Sequence, residues 1–168
     1  MFLNRDLDPA VLRGAFGHFP SGVAALCARV DGVAEGMVAS TFTVGVSLDP
    51  PLVLFASRNT SRTWPAIRKS ARIGVSILAS DQSEACRQIA STSGDRFAGI
   101  GTTESEAGAV FLDEASLWLD CSVEGESAAG DHTVVLLRVH GHSLRDKGTD
   151  PLIFHNSGFR SLREPSFA

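Results

Sequence analysis

The sequence has no tyrosine and only three cysteines, Cys27, Cys86 and Cys121, which lie far apart and form no CxxC pair. Such spacing suggests neither a disulfide framework nor a zinc site, and reads as buried reduced thiols. No stretch approaches the ~20 apolar residues of a membrane-spanning helix, and the opening MFLNRDLDPAVLRG lacks an apolar core behind a basic segment. A soluble, cytoplasmic protein is expected. Positive charge is also scarce. Fifteen Lys and Arg are scattered among nineteen Asp and Glu, for a net charge of -4, which leaves no electrostatic footprint for nucleic acid. Finally, GxSxG, HExxH, P-loop and GxGxxG are all absent, so hydrolase, zincin, P-loop and Rossmann readings have no footing.

What is present is 168 residues, 43% of them hydrophobic and 20% charged. That length suits one domain with a real core, taken as 1–168, with the core over about 10–160 and a loose tail over 161–168. No repeat or low-complexity run divides it. The apolar content is high for a monomer, and part of it is assigned to a subunit interface.

The order of elements argues for a mainly β fold. Leu12, Ala15, Phe16 and Phe19 fall at helical spacing after Asp8, a suitable N-cap, and Pro9, with the helix closing near Pro20. GVAALCARV, an Asp31-Gly32 turn and EGMVASTFTVGVSL read as a hairpin, and PLVLFAS as a third strand. Ser61 opens a second helix with Pro65 in its first turn; RIGVSIL is a strand and QSEACRQIAS a helix. After the polar stretch SGDRFAGIGTTESEAGAV come two long strands, SLWLDCSVEGES and HTVVLLRVHGHSL, joined by Ala128 to Asp131, and a short last strand, PLIFHN. Six or more hairpin-linked strands with three short helices fit a closed antiparallel barrel better than a doubly wound parallel sheet.

Three segments offer chemistry. Gly36 to Thr41 is a run of small residues ending in two hydroxyls, along which a flat ring could lie, with Ser40 and Thr41 as donors. The same run also suits an ordinary strand packed under a helix. SRNTSRT, from Ser57 to Thr63, places hydroxyls, an amide and two arginines before a helix, which makes an anion pocket or simply a helix cap. Gly130-Asp131-His132 puts an imidazole at a barrel rim, where it can stack on a ring or remain a solvated turn residue. His140 and His142 can share a strand face but lack the further ligands of a metal site.

Taken in order, RGAFGHFPSGVAALCA, EGMVASTFTVGVSLDPPLVLFAS, NTSRTW, RIGVSIL, DRFAG, GDHTVVLLRV and PLIFHNSGF resemble the flavin reductase-like, split-barrel FMN-binding family. The resemblance runs from about Leu12 to Phe159. It implies a Greek-key split barrel, a homodimer with pockets near the interface, and an NAD(P)H:flavin oxidoreductase. Such an enzyme uses NADH or NADPH to reduce FMN or FAD and supplies the reduced flavin to a separate monooxygenase. By the same resemblance Met37, Val38, Ala39, Ser40 and Thr41 line the flavin ring. Ser57, Asn59, Ser61 and Arg62 or Thr63 hold the ribityl phosphate, and Arg96 and Phe97 flank the cofactor. His132 seats the nicotinamide. Where the family often ends in Gly-x-Tyr, this chain has Phe159, which keeps stacking and loses the phenol hydrogen bond. Two other readings of the same barrel are a non-catalytic flavin-binding or storage protein and an oxidase of the pyridoxamine phosphate type. SLDPP and GDH speak against the second.

Overall fold

Asp8 and Pro9 open the first regular element as their chemistry dictates. In the computed structural model, which describes residues 3–145 and 149–162, the Asp8 carboxylate accepts the Ala10 N–H at 2.8 Å and Pro9 sits in the first turn of α1 (Pro9–Phe16). The helix ends earlier than its apolar spacing suggested and buries none of its residues. Phe16 is 70% exposed and Phe19, just beyond, 77%. The apolar stripe exists, but among the described residues nothing buries it.

β1 (Ser21–Gly22) leads to β2 (Ala24–Val30), which turns into β3 (Val33–Ala39). The turn residues Asp31 and Gly32 have φ of 48° and 81°, the paired left-handed conformation whose twist matches a tight hairpin. β4 (Thr43–Leu48), β5 (Pro51–Arg58), α2 (Trp64–Ile67), β6 (Ile73–Ile77) and α3 (Ser83–Ile89) follow. The polar stretch, to which the sequence assigned no element, contains a small hairpin, β7 (Thr102–Glu104) and β8 (Val110–Leu112). The long pair β9 (Leu117–Ala129) and β10 (His132–Leu144) then turns on Gly130 and Asp131 alone, tighter than expected. β11 (Ile153–His155) pairs with a strand the sequence did not announce, β12 (Gly158–Arg160). Residues 163–168 of the expected tail lie outside the described residues.

Seven strands form one antiparallel sheet in the order β3-β2-β6-β9-β10-β5-β4. The segment read as one continuous extended run, Glu35 to Leu48, is therefore two strands on opposite edges of that sheet. Only residues 40–42 connect them, so the sheet has to curl until its edges meet, and the result is a split barrel. A side chain seals the seam: Thr41 Oγ1 accepts the Ala56 N–H at 3.0 Å and donates to the Ala56 carbonyl at 3.1 Å.

Both faces of the central strands are covered, which accounts for the unbroken burial of Ala24 through Ala28. Ala24, Leu26 and Ala28 point into the barrel with Phe55, Val75, Val135 and Leu137, where the Trp64 ring meets Phe55 edge-on at 4.9 Å. Ala25 and Cys27 point to a second core with Cys86, Ile89, Val110 and Leu112. The close approach of β6 to β8 requires Gly74, where a Cβ would lie 2.1 Å from the Val110 carbonyl oxygen. All three cysteines are free and buried. Burial pushes the Cys27 and Cys121 thiols up to about 12. Among the described residues no helix is long and apolar enough to cross a membrane.

Candidate functional site

As an edge strand, β3 has one neighbour, β2. Its open side borders a cleft of about 960 Å³, which also takes in the end of β5, the loop before α2 and the C-terminal end of α3. Met37, Val38, Ala39, Ser40 and Thr41 all line it, as do Ser61, Arg62, Thr63, Arg96 and His132. The barrel seam thus brings together the three segments that the sequence singled out.

Their polar groups are not equally available. Thr41 spends its hydroxyl on Ala56, as described. Arg96 is committed as well: its Nη1 donates to the Gly36 carbonyl at 2.7 Å and to Thr63 Oγ1 at 3.2 Å, and its Nη2 pairs with Glu35. This guanidinium ties β3 to the start of α2, with its charge balanced by a carboxylate. Gly36, whose carbonyl Arg96 holds, has no room for a side chain, since a Cβ there would come within 2.6 Å of Cys27 Sγ and 2.9 Å of the Phe97 ring. Ser61 Oγ accepts the Trp64 N–H at 3.1 Å; it keeps its own proton free to donate. The helix it was expected to open begins at Trp64.

Arg58 and Arg62 differ from Arg96. Both line the cleft, and among the described residues neither has a carboxylate within ion-pair distance. With Glu35 already paired to Arg96, the cleft retains an excess of positive charge beside the hydroxyls of Thr60, Ser61 and Thr63. That donor set suits an anionic group such as a phosphate.

His132 stands at the first position of β10, opposite Arg58 of β5. Its Nδ1–H donates to Asp131 Oδ1 at 2.8 Å. A carboxylate only accepts, so this bond sets the tautomer and leaves Nε2 available. In return the imidazole hydrogen bond, reinforced by its charge when protonated, holds the Asp131 carboxyl below the usual carboxylate range.

Four expected site residues stand outside the cleft in this chain. Ser57 is 1% exposed, turned inward by strand alternation between Ala56 and Arg58. Asn59 pins the turn that carries His132: its Nδ2 donates to the Gly130 carbonyl at 3.1 Å, and its Oδ1 accepts from Thr133 Oγ1 at 3.0 Å. Phe97 packs into the second core beneath Gly36. Phe159 lies on β12 against Phe154, 5.7 Å between centroids, with the Arg87 guanidinium 5.0 Å over its ring. Conversely, Glu35, Ala56, Thr60, Ala66 and the stretch from Ile89 to Thr92 line the cleft without having been named as site residues. Thr60 could have been found inside the hydroxyl-rich run. The α3 end carries no such signal, because only the fold brings it to β3.

The model of the flavin reductase like domain matches residues 16–163. The chain belongs to that family. Among its relatives, the reductase subunit of a flavin-dependent monooxygenase from Rhodococcus jostii (strain RHA1) is 37% identical over 157 residues, 93% of this chain and 79% of that protein. Among solved structures of flavin reductase-like proteins, nitrilotriacetate monooxygenase component B from Mycobacterium thermoresistibile superposes with a TM-score of 0.90. It is 32% identical and covers 96% of this chain and 90% of its own. A Streptomyces globisporus NADH:FAD oxidoreductase, solved with NAD and FAD fragments, gives a TM-score of 0.89 at 29% identity, covering 99% of both chains.

The flavin expected of a family member fits the groups present. The small Ala39 and Ser40 suit the approach of a flat ring to the open strand edge, and Arg58 and Arg62, with no carboxylate at ion-pair distance among the described residues, suit its phosphate-bearing tail.

Proposed function

We infer that this chain is an NAD(P)H-dependent flavin reductase that supplies reduced flavin to a separate monooxygenase. The observation that carries this reading is the single cleft joining the open edge of β3, two unpaired arginines and a carboxylate-oriented imidazole. Each part has a task. Arg58 and Arg62, with Ser61 and Thr60, anchor the phosphate, whether the ligand is FMN or FAD. Arg96 and Thr41 hold the cleft walls at a fixed separation. His132, kept in one tautomer by Asp131, seats the nicotinamide of NADH or NADPH against the ring. When bound, the flavin supplies the chemistry itself, accepting hydride at N5. The protein's contribution is stacking and alignment, so no catalytic triad is required.

Phe16, Phe19 and Leu48, which are 70%, 77% and 88% exposed, belong to the contact between two copies in a homodimer. Burying such side chains contributes about 1.5–3 kcal/mol each.

Anaerobic mixing of the purified protein and flavin with NADH or NADPH, followed by flavin absorbance in the blue, tests the reading. Rapid bleaching with one pair is expected. Flavin that binds and stays oxidised with both nicotinamides would replace the reductase by a flavin-binding protein.

A further inference from the structure

The turn between β9 and β10 stands at the very end of the sheet. The last register pair of β10 with β5 is His132 with Arg58, and Gly130 and Asp131 project one step past it. A turn in that place, with little burial and few lateral bonds, is the first part of a sheet to open. Here a single residue of the neighbouring loop, Asn59, supplies three bonds. Its main-chain N–H donates to the Asp131 carbonyl at 3.0 Å. Its Nδ2 donates to the Gly130 carbonyl at 3.1 Å, and its Oδ1 accepts the Thr133 hydroxyl at 3.0 Å. The Thr133 bond sets the orientation of the amide: with the carbonyl oxygen taken by a hydroxyl proton, the NH2 end is the one that meets Gly130.

The Asp131 side chain is 94% exposed, so the place of the carboxylate that orients His132 is set by the main chain of this turn. We propose that Thr133, acting through Asn59, is a positioning residue for the nicotinamide: it holds the turn so that the His132 imidazole keeps one place and one tautomer at the cleft. Thr133 follows His132 on β10, turns its side chain to the other face by strand alternation, and does not line the cleft. Asn59 lies between Arg58 and Thr60, which do line it. The same clamp therefore fixes the imidazole relative to the loop that is to take the flavin phosphate. Hydride transfer needs the two rings aligned at near-contact distance, and a fixed spacing between their two anchors is what such a clamp contributes. The inference rests on the reductase reading above.

The test compares Thr133→Val, which keeps the shape and removes the hydroxyl, with Thr133→Ser, which keeps the hydroxyl. Both are followed in steady-state kinetics and in nitrogen NMR of the histidine side chains, in alkaline buffer where the imidazole is neutral. Thr133→Val should raise the nicotinamide KM about two- to threefold, the worth of one modest hydrogen bond, and leave the flavin KM as it was; Thr133→Ser should restore the native value. In a His132→Ala background Thr133→Val should move neither constant, because a positioning residue acts only through the imidazole. The His132 nitrogen signals, identified by their absence from His132→Ala, should report the Nδ1–H tautomer in the native chain and a mixture of tautomers in Thr133→Val. Equal rises in both KM values, or a further rise in the nicotinamide KM in the His132→Ala background, would mark a merely structural residue and overturn the proposal. An unchanged tautomer would overturn it as well. Thr133→Ala takes the place of the valine variant should that one not fold. If the native chain consumes no nicotinamide with either flavin, the reductase reading fails, and the tautomer comparison, which needs no turnover, decides the clamp by itself.

Discussion

The two sets of polar groups around the cleft are built on opposite principles. On one, every group has an internal partner: Arg96 is neutralised by Glu35 and bonded to Gly36 and Thr63, and Thr41 closes on Ala56. On the other, Arg58 and Arg62 have no carboxylate at ion-pair distance among the described residues. Satisfied groups hold a geometry, and removing one leaves its partner orphaned. Unsatisfied groups hold little together, and they are the ones whose partners arrive with the ligand. Two arginines in one cleft thus have different tasks although the residue type is the same.

The strongest way to break this contrast is Arg96→Ala. It strips Glu35 of its partner in a part-buried site and should cost about 2–3 kcal/mol of stability. It should also weaken riboflavin and FMN alike; an unchanged melting temperature would remove Arg96 from the structural set. Next, Arg58→Ala and Arg62→Ala should each leave stability within about 0.5 kcal/mol, yet weaken FMN by about tenfold or more, the loss of a charge-assisted bond. Riboflavin, which lacks the phosphate, should bind both variants as it binds the native chain. Equal losses for the two ligands would place the phosphate elsewhere.

Smaller effects sharpen the rim. His132→Ala should raise the nicotinamide KM several-fold with little change in the flavin requirement, a loss of about 1 kcal/mol in one binding step. Steady-state kinetics varying each substrate in turn would show this, and parallel shifts would refute the assignment. The smallest effect concerns Asp131. Its carboxyl sits below its unfolded value because of His132, so the unfolded chain binds the proton more readily. The associated stability is present above the unfolded value of about 3.9 and is lost as the pH falls through the lower folded value. Asp131→Asn should therefore flatten a shallow acid limb below about pH 4 in denaturation curves by slightly lowering the stability above it, neutral pH included.

Much of the fold was legible because its signals are local. The Asp8 cap, the Asp31-Gly32 hairpin, the alternation on β5 and the β9–β10 pair each follow from a few adjacent residues. The short pairs β7–β8 and β11–β12 were not legible, since three-residue strands offer too little alternation to stand out from polar loop. The site was half legible for a related reason. GMVAST, SRNTSRT and GDH display suitable groups, but their availability depends on neighbours distant in sequence. Asn59 was read as a ligand residue, and its amide bonds Gly130 and Thr133 across the turn that carries His132. Phe97 was read as a cofactor flank, and its ring packs under Gly36.

By itself the sequence determined that the chain forms a strand-rich barrel, and it determined which segments carry hydroxyls, arginines and an imidazole, because periodicity, turn chemistry and side-chain type are written residue by residue. Only the tertiary structure decided that the run through Ser40 would part into two sheet edges, with Thr41 sealing the seam between them. It alone decided that Arg96 would be neutralised by Glu35 while, among the described residues, Arg58 and Arg62 have no carboxylate at ion-pair distance. The physical reason is that a polar group's role is set by whether its hydrogen bonds are already made, and those partners are brought within reach by sheet closure rather than by sequence proximity.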